Sequence, residues 1–206
     1  MIHPHTEIRF ISNTIGYGVV ATKFIPKGTI TWALDKLDRT FEPSSIKKLE
    51  PLYQDILEKY CYRNSMGDFV LCWDIARFVN HSFNANCIST PYEFELAVRD
   101  IHPGEELTDD YGYLNVTEPF DCIPEKGSTR TQVMPDDLLN FHEEWDKKLN
   151  GAFPFLNKVD QPLKQILPLN IQLKMDAIVK GKQAPESILL CYFDDKKQFQ
   201  HSYKAI

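Results

Sequence analysis

Arg77-Phe78-Val79-Asn80-His81-Ser82 and, about twenty residues further on, Gly104-Glu105-Glu106-Leu107-Thr108-Asp109-Asp110-Tyr111-Gly112 are the two stretches on which the reading of this chain turns. The first sets an Asn-His pair after an apolar run. The second ends in a tyrosine held between two aspartates and a glycine. Both deliver polar groups from segments that look buried, and such groups need partners, which a bound ligand can supply.

Upstream of these stretches, the first forty residues are rich in β-formers and broken by glycine: Ile8 to Ile11, Gly16-Tyr17-Gly18, Val19 to Ala21, and Pro26-Lys27-Gly28 before Thr29 to Leu34. This pattern predicts short strands joined by tight turns. Between Pro43 and Tyr60, apolar residues recur at helical spacing behind a Ser44-Ser45 start, and one amphipathic helix is expected. Strand character returns from Asp68 to Tyr111, with a short helical turn around Ile75 to Val79 and a hairpin-like Phe94 to Val98. Val116 to Met134 reads as a loop or linker. Beyond it, Asp136 to Asn150 carries Leu138, Phe141, His142, Trp145 and Leu149 on one helical face, with Gly151 as a stop. Leu163 to Lys180 fits either a helix interrupted at Pro168 or a strand. Ile188 to Phe193 and Phe199 to Tyr203 fit a hairpin.

Composition sets the outer bounds. A chain of 206 residues with 43% hydrophobic content can bury a core as one domain or two small ones. No apolar run reaches the length that spans a bilayer and no cleavage pattern opens the chain, so a soluble intracellular protein is expected, nucleus and cytoplasm being undecided. Five widely spaced cysteines without a CxxC argue against a disulfide framework and a cysteine-rich zinc site. The net charge of -6 disfavours direct nucleic-acid contact and suits a basic partner.

Taken singly, the candidate residues are ambiguous. Gly16-Tyr17-Gly18 lets a ligand approach the backbone, or is simply a turn. Asn80-His81 offers donors and acceptors to a ligand, or is a satisfied buried pair. Tyr111 is the candidate catalytic residue, and Tyr113 would share its side of a strand at period two; the alternative is a core aromatic pair beside a solvated acidic rim.

Together, the order and spacing of Gly16-Tyr17-Gly18, Arg77 to Ser82, Asn86 four residues after the serine, and Gly104 to Gly112 resemble the SET-domain protein lysine methyltransferases, over about residues 7–115. Ala97-Val98-Arg99-Asp100-Ile101 is similar to that family's hairpin before its Pro-Gly turn. The resemblance implies a mostly β fold with some α, made of several small curved sheets with a pseudoknot in which Asn80-His81 and Tyr111 meet. Residues 1–116 would be the catalytic core with 43–60 as a helical insert, 117–134 a linker in the post-SET position, and 135–206 a mainly helical extension.

The same resemblance implies S-adenosylmethionine as cofactor, bound by Gly16, Tyr17, Gly18, Arg77, Asn80, His81 and Phe120. Tyr111 would orient methyl group and amine, with Tyr113 and Asp109 lining a lysine channel. The partner would be a lysine-bearing protein or peptide, with no nucleic acid or membrane. Phe83 stands where many members have cysteine, and only Cys122 is present of the downstream cysteine pattern, so no zinc is expected. Phe120 and the Pro135 to Gly151 helix would close the pockets instead. Asp109 replaces the aromatic that often limits how many methyls are added. The alternative is a SET-fold binding module without turnover.

Overall fold

A computed structural model describes residues 1–194. Short strands separated by glycine turns build five small sheets. The strands β1 (Thr6–Ser12) and β2 (Gly16–Ala21) form an antiparallel hairpin. After them come β3 (Ile30–Ala33), β4 (Arg39–Phe41), the helices α1 (Pro43–Ile46) and α2 (Pro51–Tyr60), then β5 (Cys61–Arg63) and β6 (Phe69–Leu71). β6 runs between β4 and β5. Next in the chain are β7 (Asn80–His81), β8 (Cys87–Ser89), β9 (Phe94–Ala97) and β10 (Thr108–Asp109). β9 is the centre of a β3-β9-β8 sheet, while β10 lies parallel to β7. A small β11 (Phe120–Asp121) and β12 (Gln132–Val133) hairpin precedes α3 (Asp137–Ala152) and α4 (Leu169–Val179).

The C-terminal helices share a core with the sheets. Ile30, Ile88, Phe94 and Leu96 from the strands pack in one cluster with Leu138, Trp145 and Leu149 of α3 and with Met175 and Ile178 of α4. Trp145 meets Tyr113 edge to face at 5.2 Å. Polar links reinforce the apolar ones: the Gln161 side chain accepts from Ile30 N at 2.9 Å and donates to the Gly28 carbonyl at 2.7 Å. Close to the end of the described chain, Asn115 donates to the carbonyls of Arg63 and Cys191 and accepts from Phe193 N. The Phe193 ring lies over Gly67, where a Cβ would meet it at 2.5 Å, and 3.9 Å from the Arg63 guanidinium.

Several elements differ from their sequence expectation. The single helix expected over Pro43 to Tyr60 is two, because Pro51 opens α2 and holds Glu50 in an extended conformation (φ -61, ψ 148). The break also rotates the apolar stripe, so that Leu57 is buried while Leu52, Tyr53 and Ile56 face outward. Gly151 does not stop α3, which runs on to Ala152. Burial of Ala152 and Phe153 outweighs a helical glycine's cost of about 1 kcal/mol. The ambiguous Leu163 to Lys180 segment is a short 3-10 turn followed by α4, which starts directly after Pro168. Ile188–Cys191 is a 3-10 turn rather than a strand, and Phe199 to Tyr203 lies outside the described residues.

Because α3 and the sheets bury one another, Trp145→Ala is expected to lower stability by about 3–5 kcal/mol. Urea unfolding followed by both fluorescence and circular dichroism should still show one shared transition.

Candidate active site

The site is assembled where β7 meets β10. Asp74 caps the 3-10 turn Ile75–Phe78 by accepting from Ala76 N, and the chain then straightens at Val79 into Asn80-His81. Thr108 pairs with Asn80 and Asp109 with His81. Two residues a side is a short ladder, and Asn86 extends its hold. Fully buried, Asn86 donates to the Glu106 carbonyl at 2.8 Å and accepts from Thr108 N at 2.9 Å.

Tyr111 follows at the start of a 3-10 turn, Tyr111–Tyr113, capped by the Asp110 carboxylate accepting from Gly112 N at 3.0 Å. Its hydroxyl donates to the Val79 carbonyl at 2.6 Å, and its backbone N–H donates to His81 Nδ1 at 3.2 Å. Burial raises the Tyr111 pKa, with Asp109 and Glu106 adding to it, so the phenol stays neutral. A hydroxyl that donates still has lone pairs to offer to a ligand. His81 is also held neutral by burial. With Nδ1 accepting, the proton sits on Nε2, which is buried and has no partner.

The turn corrects one inference from the sequence. Tyr111 and Tyr113 are on a 3-10 turn rather than a strand, so a spacing of two separates them. Tyr113 is 2% exposed and packs on Trp145. Its hydroxyl accepts from Asp110 N at 2.9 Å and lies 3.0 Å from Asp109 Oδ1, so it meets the neighbouring cavity only through Asp109.

The expected site residues fall into two groups. Tyr111, Asp109, Arg77 and Phe120 line a cavity of about 500 Å³ that also touches the end of α2 and β5. Tyr17, Gly18 and Asn80 come together outside its lining, while Gly16 turns the chain at φ 85 with nothing within 4 Å of where a Cβ would stand. Asn80 Nδ2 donates to the Tyr17 carbonyl at 3.0 Å and to Glu106 Oε1 at 2.6 Å. Gly18 has to be glycine for this, since a Cβ there would come within 2.8 Å of Asn80 Nδ2. His81 and Tyr111 connect the groups, their rings 5.5 Å apart, with Phe120 at 6.3 Å from each.

These residues fit S-adenosylmethionine. The Tyr17 carbonyl, Glu106 and Asn80 would receive its amino-acid end, the unpartnered His81 Nε2–H is a free donor, and His81 and Phe120 would supply flat apolar surface.

Segment 117–134 is tied over this site by two charged side chains. Glu125 accepts from Ser82 Oγ at 2.9 Å and from Phe83 N at 3.1 Å, clamping it to the end of β7. Arg130 bridges the buried carboxylates of Asp110 and Asp137, joining the Tyr111 turn to α3. Its guanidinium sits 4.5 Å from the ring centres of both Phe83 and Phe141. Phe83 is thus a stacking surface for Arg130. Among the described residues no three His, Cys, Asp or Glu side chains gather as a metal-binding group.

Sequence reasoning did not find Arg130, Glu125 or Glu95. Glu95 lines the cavity with Asp109, and its signal was a charge inside the otherwise apolar Phe94–Ala97, which became the central strand β9. Burial raises the pKa of both carboxylates; Asp109 raises that of Glu95 further, while hydrogen bonds from Tyr113 and Glu95 partly offset the rise at Asp109, which is pushed up to about 7.

Two outcomes follow from these charges. Arg130→Met should cost about 3–5 kcal/mol, because it strands two buried carboxylates, as read by urea unfolding. The Glu95 and Asp109 protons are retained by the folded chain after the unfolded one has released them. Their contribution to stability is therefore full at acid pH and lost as pH rises through about 7. Melting temperature should fall as pH rises from about 4 to about 7, and Asp109→Asn should flatten that fall.

Among the described residues no helix is long and apolar enough to cross a membrane. No curated protein shows significant similarity to the chain. The family model for the SET domain matches residues 16–112, from the first glycine of Gly16-Tyr17-Gly18 to the glycine after Tyr111. That span holds both stretches joined by the β7–β10 pairing. The chain therefore carries a SET domain over residues 16–112, the module of a family whose members are typically protein lysine methyltransferases that bind S-adenosylmethionine.

Proposed function

We propose that this protein transfers a methyl group from S-adenosylmethionine to the side-chain amine of a lysine in a protein substrate. The observation that carries the reading is the placement of Tyr111. Its hydroxyl is locked to the Val79 carbonyl at the junction of the two paired motifs, on the wall of the large cavity and in ring contact with His81. The cofactor supplies an electrophilic methyl on a sulfonium.

The remaining work is positional, and the chain's residues account for it. Asn80 and the Tyr17 carbonyl form the corner that holds the cofactor's polar end. His81, Phe83 and Phe120 exclude water from its far side. Tyr111, neutral and already donating to Val79, presents its oxygen to the reacting centre, where it can accept weak C–H or N–H donors and fix the line of approach. The lysine stem enters through the cavity, among Tyr62, Trp32 and Phe69. Arg77 lines this cavity, and its guanidinium is 5.5 Å from the Phe78 ring. It belongs to the substrate wall.

Tyr111→Phe is expected to reduce methyl transfer by about 10²–10³-fold, measured with labelled cofactor and a lysine peptide library, while cofactor affinity stays within about twofold. Asn80→Ala should weaken cofactor binding by about tenfold or more by calorimetry. Equal turnover by wild type and Tyr111→Phe would sink the assignment. Cofactor binding with no turnover on any lysine peptide would favour a binding module.

A further inference from the structure

The cavity wall beside Tyr111 carries two carboxylates where a packed sheet would normally place apolar residues. Glu95 stands on central strand β9, in register with Trp32 on β3 and Ser89 on β8, so these three side chains share one face of the sheet. Asp109 reaches the same place from β10, 5% exposed, and hydrogen-bonds to Glu95. Trp32, Glu95, Asp109 and Tyr111 all line the cavity. Trp32 is itself 6% exposed, and its indole N–H is buried without a partner.

The surroundings favour a cation. Trp32 and Tyr62 stand edge to face at 5.8 Å on the same wall, and Tyr111 and Phe69 add further ring surface. Several titratable neighbours of the pair are neutral. Cys87 on β8, Cys72, Tyr62 and Tyr113 are all held protonated by burial. Asp110 repels Asp109 from the adjacent position, and its own charge is taken by Arg130. The chain's amino group acts favourably on Glu95. Lys59, Arg63 and Arg77 lie on the cavity wall as well, together with Glu58 and Glu118.

We propose that Glu95 and Asp109 form one acid–base unit, which captures the ammonium group of the incoming lysine and takes up its proton before methyl transfer. The inference rests on the lysine methyltransferase reading and adds to it a proton acceptor inside the site. In the step, an N–H bond of the ammonium breaks and an O–H bond forms on the carboxylate pair. The freed nitrogen lone pair then forms the N–CH3 bond as the C–S bond breaks, its electrons passing to sulfur to leave a neutral thioether. The methylated nitrogen carries the positive charge out, and the carboxylate proton returns to solvent.

The test uses n-butylammonium chloride, the lysine side chain cut from its backbone, titrated into protein saturated with S-adenosylmethionine and followed by saturation-transfer NMR. Affinity for wild type should rise about tenfold from about pH 6 to pH 8, as the pair gains its negative charge while the ligand stays cationic. Asp109→Asn and Glu95→Gln should each lower affinity at least about tenfold at pH 8 and remove its pH dependence. Cofactor affinity, measured on the same samples, should be unchanged, which reports that the variants are folded. Equal binding by wild type and variants, or a flat pH profile in wild type, overturns the proton-acceptor role and leaves the methyltransferase reading standing. Failure of wild type to bind the cofactor removes both.

Discussion

Four residues in parallel pairing hold this molecule's chemistry in place. Asn80-His81 alongside Thr108-Asp109 is too short a ladder to persist alone, since a lone pair of strands is marginal even at greater length. Each surrounding device makes up for that shortness from a different side. Asn86 supplies the ladder with side-chain bonds, the Tyr111 hydroxyl and N–H reach back to both ends of β7, and Asp110 locks the turn that follows. Arg130 then ties that turn to α3, so the helical region is part of the site's scaffold.

The same dependence explains what could be read from the sequence. The Asn-His and Asp-Tyr-Gly stretches were legible because close approach and hydrogen bonding restrict which residues can stand there. Gly18 admits Asn80 and Glu106 only because it has no Cβ. Short strands between glycine turns were legible for the same local reason. The break at Pro51 was also present in the letters, but the helical spacing of the apolar residues spoke louder than the proline. Tyr113 was misplaced because a period of two was assumed where the chain turns tightly.

Arg130 and Glu125 were illegible for a different reason. Each lies in a segment with no periodicity and has a partner twenty or more residues away, Asp110 for Arg130 and Ser82 for Glu125. A charged residue in a polar linker looks solvated until the tertiary structure places a buried carboxylate beside it. Glu95 is the converse case: one charge in an apolar strand, given meaning by Asp109 from a strand it does not follow in sequence.

The Asn115 clamp bears on how the protein comes into being. Asn115 sits in the left-handed region with φ 54 and lines the large cavity, and among the described residues its amide bonds to the backbone at Arg63, Cys191 and Phe193. During synthesis the chain emerges from its amino end. The domain's motifs have all been synthesised by Gly112, yet this wall has to wait for about eighty further residues before its last contacts exist. For that interval the nascent chain holds an unfinished pocket with a stranded amide. Completion of that wall is thus the last event in the making of the cavity, and it waits on synthesis of the C-terminal third.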